Sequence, residues 1–263
     1  MRSGSSVSGW IAAALLLLLS GCATDRDAVR VGIAQEQYPP FAARYAGEWI
    51  GFEIDLYRAV CQAEGLRCEL VEVPWDDIIP ALVDRRIDVI WSSMSITEER
   101  DTVIDFTDVY YDTTNVLIGA ASDPTRPSVQ DPGSLAGKTI GVQEATVFAA
   151  FVTEKFGDVA EVRLYSTLND ALSALRRGEI DYVSESALSL APFLDVNSSF
   201  VTKAIWPSDP IFGHGVGAGV REEDDALRQK LNCGIATVVK NGRYDAILRK
   251  YPGLSDGVRK PQV

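Results

Sequence analysis

A short segment of the chain, residues 92–100, contains side chains that could bind an anion. Ser93, Ser95 and Arg100 follow the end of a predicted strand and come at the start of a predicted helix. The free backbone N–H groups at such a junction favour an anion, and an arginine can add a bidentate, charge-assisted pair to a carboxylate. The alternative is a surface arginine beside capping serines. We interpret the three residues as a carboxylate clamp.

Two aromatic residues could complete a site for a ligand that carries a cation. Tyr38 follows the end of a predicted strand and Trp75 begins a predicted helix, so both could project into one cleft. A guanidinium or ammonium group stacked on such a ring gains about 0.5–2 kcal/mol. Trp75 could instead belong to the hydrophobic core, but its neighbours Asp76 and Asp77 indicate the edge of a core rather than its centre.

The sequence after the N-terminal apolar run contains no catalytic motif. It has no nucleophile elbow, phosphate loop or zinc motif, and His214 is the only histidine. Residues 213–218 loosely resemble a dinucleotide-binding fingerprint, but they lack the surrounding βαβ unit and alternate like a strand. We therefore expect a binding protein without a cofactor or a metal, rather than an enzyme.

The elements that must position these residues alternate between strand and helix. Short apolar runs separated by amphipathic segments predict parallel strands, in a sheet covered by helices on both faces. The predicted strands are 29–34, 70–73, 88–91, 138–143, 161–165, 180–183 and 200–205. The predicted helices are 52–64, 76–86, 145–156, 169–177, 223–240 and 244–251.

The alternation occurs twice, which predicts two α/β lobes. A segment rich in Pro, Asp, Ser and Gly, residues 121–133, separates the two series and is typical of a lobe boundary. The chain would cross between the lobes at two connecting strands, near 110–114 and 213–219. The predicted division assigns 29–112 and 219–263 to the first lobe, and 113–218, with the hinge strands, to the second.

The N-terminus predicts export and a lipid anchor. Arg2 precedes an apolar run, residues 10–19, which is shorter than the ~20 residues that span a bilayer and is typical of a signal peptide. The run ends in Leu-Ser-Gly-Cys, similar to the bacterial lipobox; a chance cysteine after an ordinary signal peptide is the alternative. We expect residues 1–21 to be removed, Cys22 to carry lipid, and 22–28 to tether an extracytoplasmic protein to a membrane.

Charge and cysteine content restrict the functions further. The chain carries 25 basic and 37 acidic residues, a net charge of −12 that argues against a nucleic-acid partner. We expect a monomer. Cys61 and Cys68 could close a small disulfide loop around Gly65 in an oxidising compartment; two free thiols or a metal pair are the alternatives. Cys233 lies among apolar residues of a predicted helix and is expected to be an unreactive core residue.

Three segments stand out as motifs: residues 51–56 (GFEIDL), 75–82 (WDDIIPAL) and 87–100 (IDVIWSSMSITEER). In this order and spacing they resemble the polar amino-acid solute-binding proteins of ABC importers, over about residues 29–253. The resemblance is greatest to the subgroup that binds lysine, arginine, ornithine, histidine and opines, whose disulfide matches the cysteine spacing above. It implies a two-lobed periplasmic-binding-protein type II fold with two connecting hinge strands, and delivery of the ligand to an ABC permease.

The resemblance also implies roles for residues in the first lobe. Tyr38 and Trp75 would sandwich the side chain of the ligand. Gln35 or Glu36 would accept the amine of that side chain. Between Gly32 and Tyr38 the chain has one residue more than the family usually shows, so either of the two could face the ligand.

The second lobe departs from the family pattern at two places. Where the family has Gly-Thr-Thr or Gly-Ser-Thr to complete the carboxylate clamp, this chain has Ala145, Thr146 and Val147, and only Thr146 retains a hydroxyl. Where the family has an aspartate that pairs with the α-ammonium group, the chain has Ser186, preceded by Glu185. Either Glu185 replaces the aspartate or the ligand lacks an ordinary free α-ammonium group.

These observations together predict a lipoprotein that captures a polar, basic amino acid or a derivative of one outside the cytoplasm. Three alternatives remain open at this point. The ligand could be an opine, the protein could present its ligand to a sensory receptor, or it could be an enzyme similar to cyclohexadienyl dehydratase, which uses the same fold.

Overall fold

The fold follows from the alternation of short apolar strands with helices. The computed structural model describes residues 28–251 and 253–261. The strands are β1 (Val29–Ala34), β2 (Ala43–Tyr45), β3 (Glu48–Ile50), β4 (Cys68–Val73), β5 (Val89–Ile90), β6 (Asp105–Phe106), β7 (Asn115–Ala120), β8 (Thr139–Gln143), β9 (Glu161–Tyr165), β10 (Tyr182–Ser186), β11 (Phe200–Ile205) and β12 (Gly219–Val220). The helices are α1 (Phe52–Ala63), α2 (Ile78–Val83), α3 (Glu98–Asp101), α4 (Val147–Phe156), α5 (Leu168–Arg177), α6 (Ala187–Val196), α7 (Asp225–Lys240), α8 (Arg243–Leu248) and α9 (Leu254–Gly257).

The described part of the chain forms two five-stranded sheets, each the centre of one lobe. Lobe 1 has the strand order β4-β1-β5-β12-β6, and lobe 2 has the order β11-β7-β10-β8-β9. The predicted parallel pairing holds for β4-β1-β5 and for β10-β8-β9. Strands β12 and β7 pair with their neighbours in antiparallel fashion. The predicted α/β fold with two lobes is therefore confirmed.

Strand β7 is absent from the sequence prediction, although four of its six residues are buried. It pairs with β10 and β11, so residues 121–133 lie inside lobe 2. The interpretation of 121–133 as a lobe boundary is wrong, because its turn residues connect two strands of the same sheet. The division of the lobes at residues 112 and 219 stays a prediction. Strand β10 also extends to Ser186, beyond its predicted end at 183.

The chain passes between the lobes twice, after β6 and after β11, and the two passages lie side by side. The amide of Tyr110 donates to the carbonyl oxygen of Val216 at 2.9 Å, and the amide of Val216 donates to that of Tyr111 at 2.8 Å. At the start of the returning passage, Gly213 has a φ of +76°, and a Cβ there would lie 1.9 Å from the carbonyl oxygen of Ile96. Glycine is required at that position by both conformation and space.

A disulfide joins Cys61, at the end of α1, to Cys68, at the start of β4, as predicted. The prediction for Cys233 is wrong, because its side chain is exposed. The buried face of α7 is formed by Leu231, Gly234, Ile235 and Val238. Cys233 lies just outside that stripe, whose spacing of three and four residues defines one face of a helix.

The predicted signal peptide (1–21), the lipidated Cys22 and almost all of the tether (22–28) lie outside the described residues. Within the described ranges, no helix is long and apolar enough to cross a membrane. The same ranges contain no group of three or more His, Cys, Asp or Glu residues that could hold a metal ion.

The disulfide gives a prediction about stability. Closing a loop between cysteines seven positions apart restricts the unfolded chain, which corresponds to about 2–3 kcal/mol in the chain-entropy description. Replacing both Cys61 and Cys68 with alanine should lower the free energy of unfolding by about that amount, measured by denaturant titration. The matched control is Cys233→Ala, which removes an exposed thiol and should leave the midpoint unchanged. Equal midpoints for the two variants would contradict the prediction.

Candidate functional site

A cavity of about 60 Å³ between the lobes collects most of the residues predicted to bind the ligand. The predicted residues that line it are Glu36, Tyr38, Trp75, Ser93, Ser95, Arg100, Thr146 and Glu185. Gln35 is exposed and does not line it, and Ser186 lines a neighbouring cavity instead. Strand ends of the two sheets meet at this cleft, which explains why segments distant in sequence converge there.

Arg100 is a cation without an acidic partner in this cavity. The short helix α3 positions it, and Thr97 caps that helix by accepting the amide of Arg100. Its guanidinium donates to the carbonyl oxygens of Ser95 at 2.9 Å and of Ala145 at 3.2 Å. Within the described ranges no carboxylate forms an ion pair with it. Burial lowers the pKa of Arg100 to about 10, so the guanidinium remains charged at neutral pH and can bind an anion.

Trp75 adds an aromatic wall beside this cation. The guanidinium carbon of Arg100 lies 5.6 Å from the centroid of the Trp75 ring. The indole N–H of Trp75 donates to the same Ala145 carbonyl oxygen, also at 3.2 Å. Trp75 is only half-buried, which agrees with a cleft position rather than a core position. Two lobe 1 side chains therefore bind one lobe 2 carbonyl group across the cleft.

Glu53 is a site residue that the sequence analysis missed. It lies in the first turn of α1, is 0% exposed and lines the cavity. Its carboxyl accepts the amide of Ser93 at 3.0 Å, the hydroxyl of Ser93 at 2.9 Å and the hydroxyl of Tyr110 at 3.0 Å. Burial raises the pKa of Glu53 to about 7. The available signal was an acid between two apolar residues, Phe52 and Ile54, at the start of a helix.

Two non-glycine residues of the cleft have a left-handed backbone. Ser93 has a φ of 54° and Ala145 has a φ of 56°. This conformation costs an L-residue roughly 1 kcal/mol or more, and it is where glycine is usually found. Ala145 therefore keeps the backbone shape expected for the glycine of the family pattern, with a methyl group added.

Thr146 lines the cavity but uses its hydroxyl within lobe 2. That hydroxyl accepts the amide of Ala149 at 3.2 Å, which caps α4, and it donates to the carbonyl oxygen of Gln143 at 2.7 Å. Val147, the next residue, lines the cavity with an apolar side chain. The second lobe thus offers fewer hydroxyl donors to a carboxylate than the family pattern implies.

Glu185, rather than Ser186, reaches the cavity from the end of β10. Its Oε1 accepts the hydroxyl of Tyr38, from lobe 1, at 2.8 Å and the amide of Ser186 at 2.7 Å. Glu185 is 1% exposed, and burial raises its pKa to about 8. Burial also raises the pKa of Tyr38 well above its ordinary value, so the phenol remains a donor.

Glu36, rather than Gln35, lines the cavity on the lobe 1 side. One of its carboxylate oxygens accepts the amide of Trp75 at 3.2 Å. Gln37 also lines the cavity.

A larger cavity, of about 280 Å³, adjoins the first on the side of the hinge. The two share Tyr38, Ser93, Ser95 and Phe148 as lining residues. Ser186 lines only the larger one, and its buried hydroxyl has no hydrogen-bond partner among the described residues. A buried polar group without a partner is uncommon and indicates a place where a further hydrogen bond can form.

Comparison with known proteins gives one family and several characterised relatives. A family described as bacterial extracellular solute-binding proteins, family 3, matches residues 29–254. The histidine-binding periplasmic protein of Escherichia coli is 34% identical over 229 residues, 85% of this chain and 86% of that protein. The L-arginine-binding protein of Pseudomonas aeruginosa is 33% identical over 243 residues, 90% of this chain and 92% of that protein.

A solved structure agrees with the same grouping. It is a periplasmic His/Glu/Gln/Arg/opine family-binding protein from Silicibacter pomeroyi in complex with lysine, 34% identical to this chain. The TM-score is 0.75, and the match covers 86% of this chain and 97% of that one.

The buried carboxyl of Glu185 predicts how stability depends on pH. Its pKa is about 8 in the folded protein against 4.5 for an ordinary glutamate, so the folded state binds more protons than the unfolded state between these values. The free energy of unfolding should therefore fall as pH rises from about 5 to about 8, by on the order of 3 kcal/mol for this group. Denaturant titrations of the ligand-free protein and of Glu185→Gln across this range measure it.

The variant should lack this part of the slope. Glu161→Gln, which changes an exposed carboxylate on β9, serves as the matched control and should keep the full slope of the original protein. Parallel stability curves for Glu185→Gln and the original protein would contradict the prediction.

Proposed function

This chain belongs to the family 3 bacterial extracellular solute-binding proteins, and on that premise we propose that it captures a basic amino acid outside the cytoplasm and delivers it to an ABC permease. The relatives named above are binding proteins, and this chain is likewise a binding protein and not an enzyme.

The charge pattern of the 60 Å³ cavity carries the proposal. Its described lining includes one basic residue, Arg100, and three acidic residues, Glu36, Glu53 and Glu185. A basic amino acid brings the complementary set, one carboxylate and two cationic groups. A ligand with a neutral side chain would leave Glu36 without a cationic partner. A ligand with an acidic side chain would place a second carboxylate beside Glu36. Because buried charge is costly unless paired, this pattern favours a basic side chain.

Each group of such a ligand has a partner in the cavity. The α-carboxylate would bind Arg100, with Ser95 beside it. The α-ammonium group would bind Glu185, in place of the aspartate that the family pattern has one residue later. The cationic side chain would lie against Trp75 and pair with Glu36. Glu53 already accepts three donors from lobe 1, so its role is to position Ser93.

Contacts to both lobes explain how the ligand would stabilise closure. In the structure, Trp75 and Arg100 bind the Ala145 carbonyl group and Tyr38 binds Glu185, all across the cleft. A ligand carboxylate is a stronger acceptor for Arg100 than a neutral carbonyl group. Binding would therefore favour the closed form by differential interaction, with the paired passages beside Tyr111 and Val216 serving as the hinge.

A second candidate ligand class is favoured by the adjoining cavity. An amino acid whose α-nitrogen carries a polar substituent, as in an opine, could extend from Glu185 into the 280 Å³ space and bind the free hydroxyl of Ser186. This candidate predicts that N-substituted basic amino acids bind more tightly than the unsubstituted ones.

The N-terminal sequence supports a lipid anchor that holds the protein at a membrane. Cys22 follows a lipobox-like segment at the end of a signal-like run, and a lipid on it would hold the protein at a membrane near its permease. Labelling of the expressed protein with a radioactive fatty acid, with Cys22→Ala as the control, tests the anchor.

Calorimetric titration of the chain from Ala23 onward tests the ligand class. Arginine, lysine, ornithine and histidine should bind, while glutamate and sugars should not.

Replacing Arg100 with alanine should reduce affinity at least tenfold, about 1.5–3 kcal/mol for hydrogen bonds to a charged group. Arg163→Ala, which removes an exposed arginine on β9, should leave affinity unchanged. Binding of none of the basic amino acids would refute the proposal, and full affinity in Arg100→Ala would refute the placement of the clamp.

Glu36 should determine selectivity for a charged side chain. In Glu36→Gln, affinity for arginine and lysine should fall by roughly tenfold, as expected for a charge-assisted pair, while affinity for glutamine should change little. Glu98→Gln, an exposed carboxylate on α3 near the cleft, controls for the change in net charge. An equal loss of affinity for arginine and glutamine would show that Glu36 does not contact the side chain.

A further inference from the structure

Glu185 is buried, and no basic side chain of the described residues forms an ion pair with it. The neighbouring strands, β7 and β8, carry no charged residues. On the helices of lobe 2, the charged side chains face solvent or form pairs elsewhere; they are Glu154, Lys155, Asp170, Arg176, Arg177 and Asp195. Across the cleft the facing titratable groups are Tyr38, Glu36, Glu53 and Arg100. The titratable groups that line the adjoining cavity are Tyr111, Asp112, Asp209, His214 and Arg259. Among the described residues, none of the basic groups forms an ion pair with Glu185.

The hydrogen bonds of Glu185 leave one oxygen available. Both donors, Tyr38 and the amide of Ser186, bind Oε1, and no donor in the described ranges binds Oε2. The start of α6, directly after Ser186, favours a negative charge, but a helix terminus offsets only a small part of the cost of burying an ion. Burial is the dominant influence, and it raises the pKa of Glu185 to about 8.

We propose that Glu185 carries a proton when no ligand is bound, and that binding of a cationic ligand releases this proton to the solvent. The inference rests on the function proposed above. The O–H bond of the carboxylic acid breaks, the proton passes to water or buffer, and the resulting carboxylate pairs with the ligand cation. One proton leaves for each ligand bound, and no other bond changes.

The proposal determines the sign of the pH dependence. Below the pKa of the empty protein, ligand and proton compete for Glu185, so affinity should rise with pH by up to about tenfold per unit and level off near pH 8. A site whose carboxylate is already ionised when empty would show no such rise in this range.

Calorimetry with L-arginine as the probe at pH 7 tests the proposal. The titration is repeated in phosphate and in Tris, buffers that take up a proton with very different enthalpies, so the difference in observed heat counts the protons released. We expect about one proton per arginine for the original protein and none for Glu185→Gln, whose affinity should also be weaker and independent of pH. His214→Gln, which changes a side chain of the adjoining cavity, is the control and should still release the proton.

The outcomes separate this inference from the function it rests on. Arginine binding with equal heats in the two buffers overturns the proton exchange and leaves the proposed function standing. Proton release that persists in Glu185→Gln, from Glu53 or another group, also overturns it. If arginine, lysine, ornithine and histidine all fail to bind the original protein, the proposed function fails and the inference fails with it.

Discussion

The cleft buries ionisable groups that have no oppositely charged partner among the described residues, and the rest of the site depends on this constraint. Within the described part of the chain, Arg100 has only neutral carbonyl groups as hydrogen-bond partners, and Glu185 has only a phenol and an amide. An ionisable group can be buried when it is ion-paired, hydrogen-bonded or changed in protonation state. Without a ligand, the cleft relies on hydrogen bonds and on a change in protonation state. A ligand of complementary charge supplies the ion pair. These unpaired groups of the two lobes are therefore the basis of the ligand selectivity proposed above.

A buried carboxyl outside the proposed ligand contacts helps to maintain this arrangement. Glu53 binds both Ser93, in the proposed carboxylate clamp, and Tyr110, on the passage between the lobes. The backbone of Ser93 is left-handed, and such a conformation persists only where the surroundings hold it. One buried carboxyl therefore connects the geometry of the binding segment to the hinge, which is where a change in lobe orientation must act.

The structure shows the surroundings of the two positions, Ala145 and Ser186, at which the chain departs from the family pattern. Ala145, where the family pattern has glycine, has a left-handed backbone, and its carbonyl group accepts hydrogen bonds from Trp75 and Arg100. At Ser186, where the family pattern has an aspartate, the chain has a hydroxyl, and the acid that lines the 60 Å³ cavity is Glu185, one position earlier on the strand. Side chains of adjacent strand residues point to opposite faces. The end of β10 thus presents an acid to one cavity and a hydroxyl to the other.

The sequence by itself determined the features that depend on local spacing. Alternating apolar runs predicted the α/β lobes, a seven-residue separation predicted the disulfide, and a strand end followed by serines and an arginine predicted a cleft segment. Tertiary structure alone showed that Glu185 and Glu36 line the 60 Å³ cavity whereas Ser186 and Gln35 do not, and it revealed the burial of Glu53, the place of β7 and the exposure of Cys233. These outcomes depend on which face of an element meets another part of the chain. Such contacts join residues that are far apart in sequence, so a local sequence pattern does not predict them.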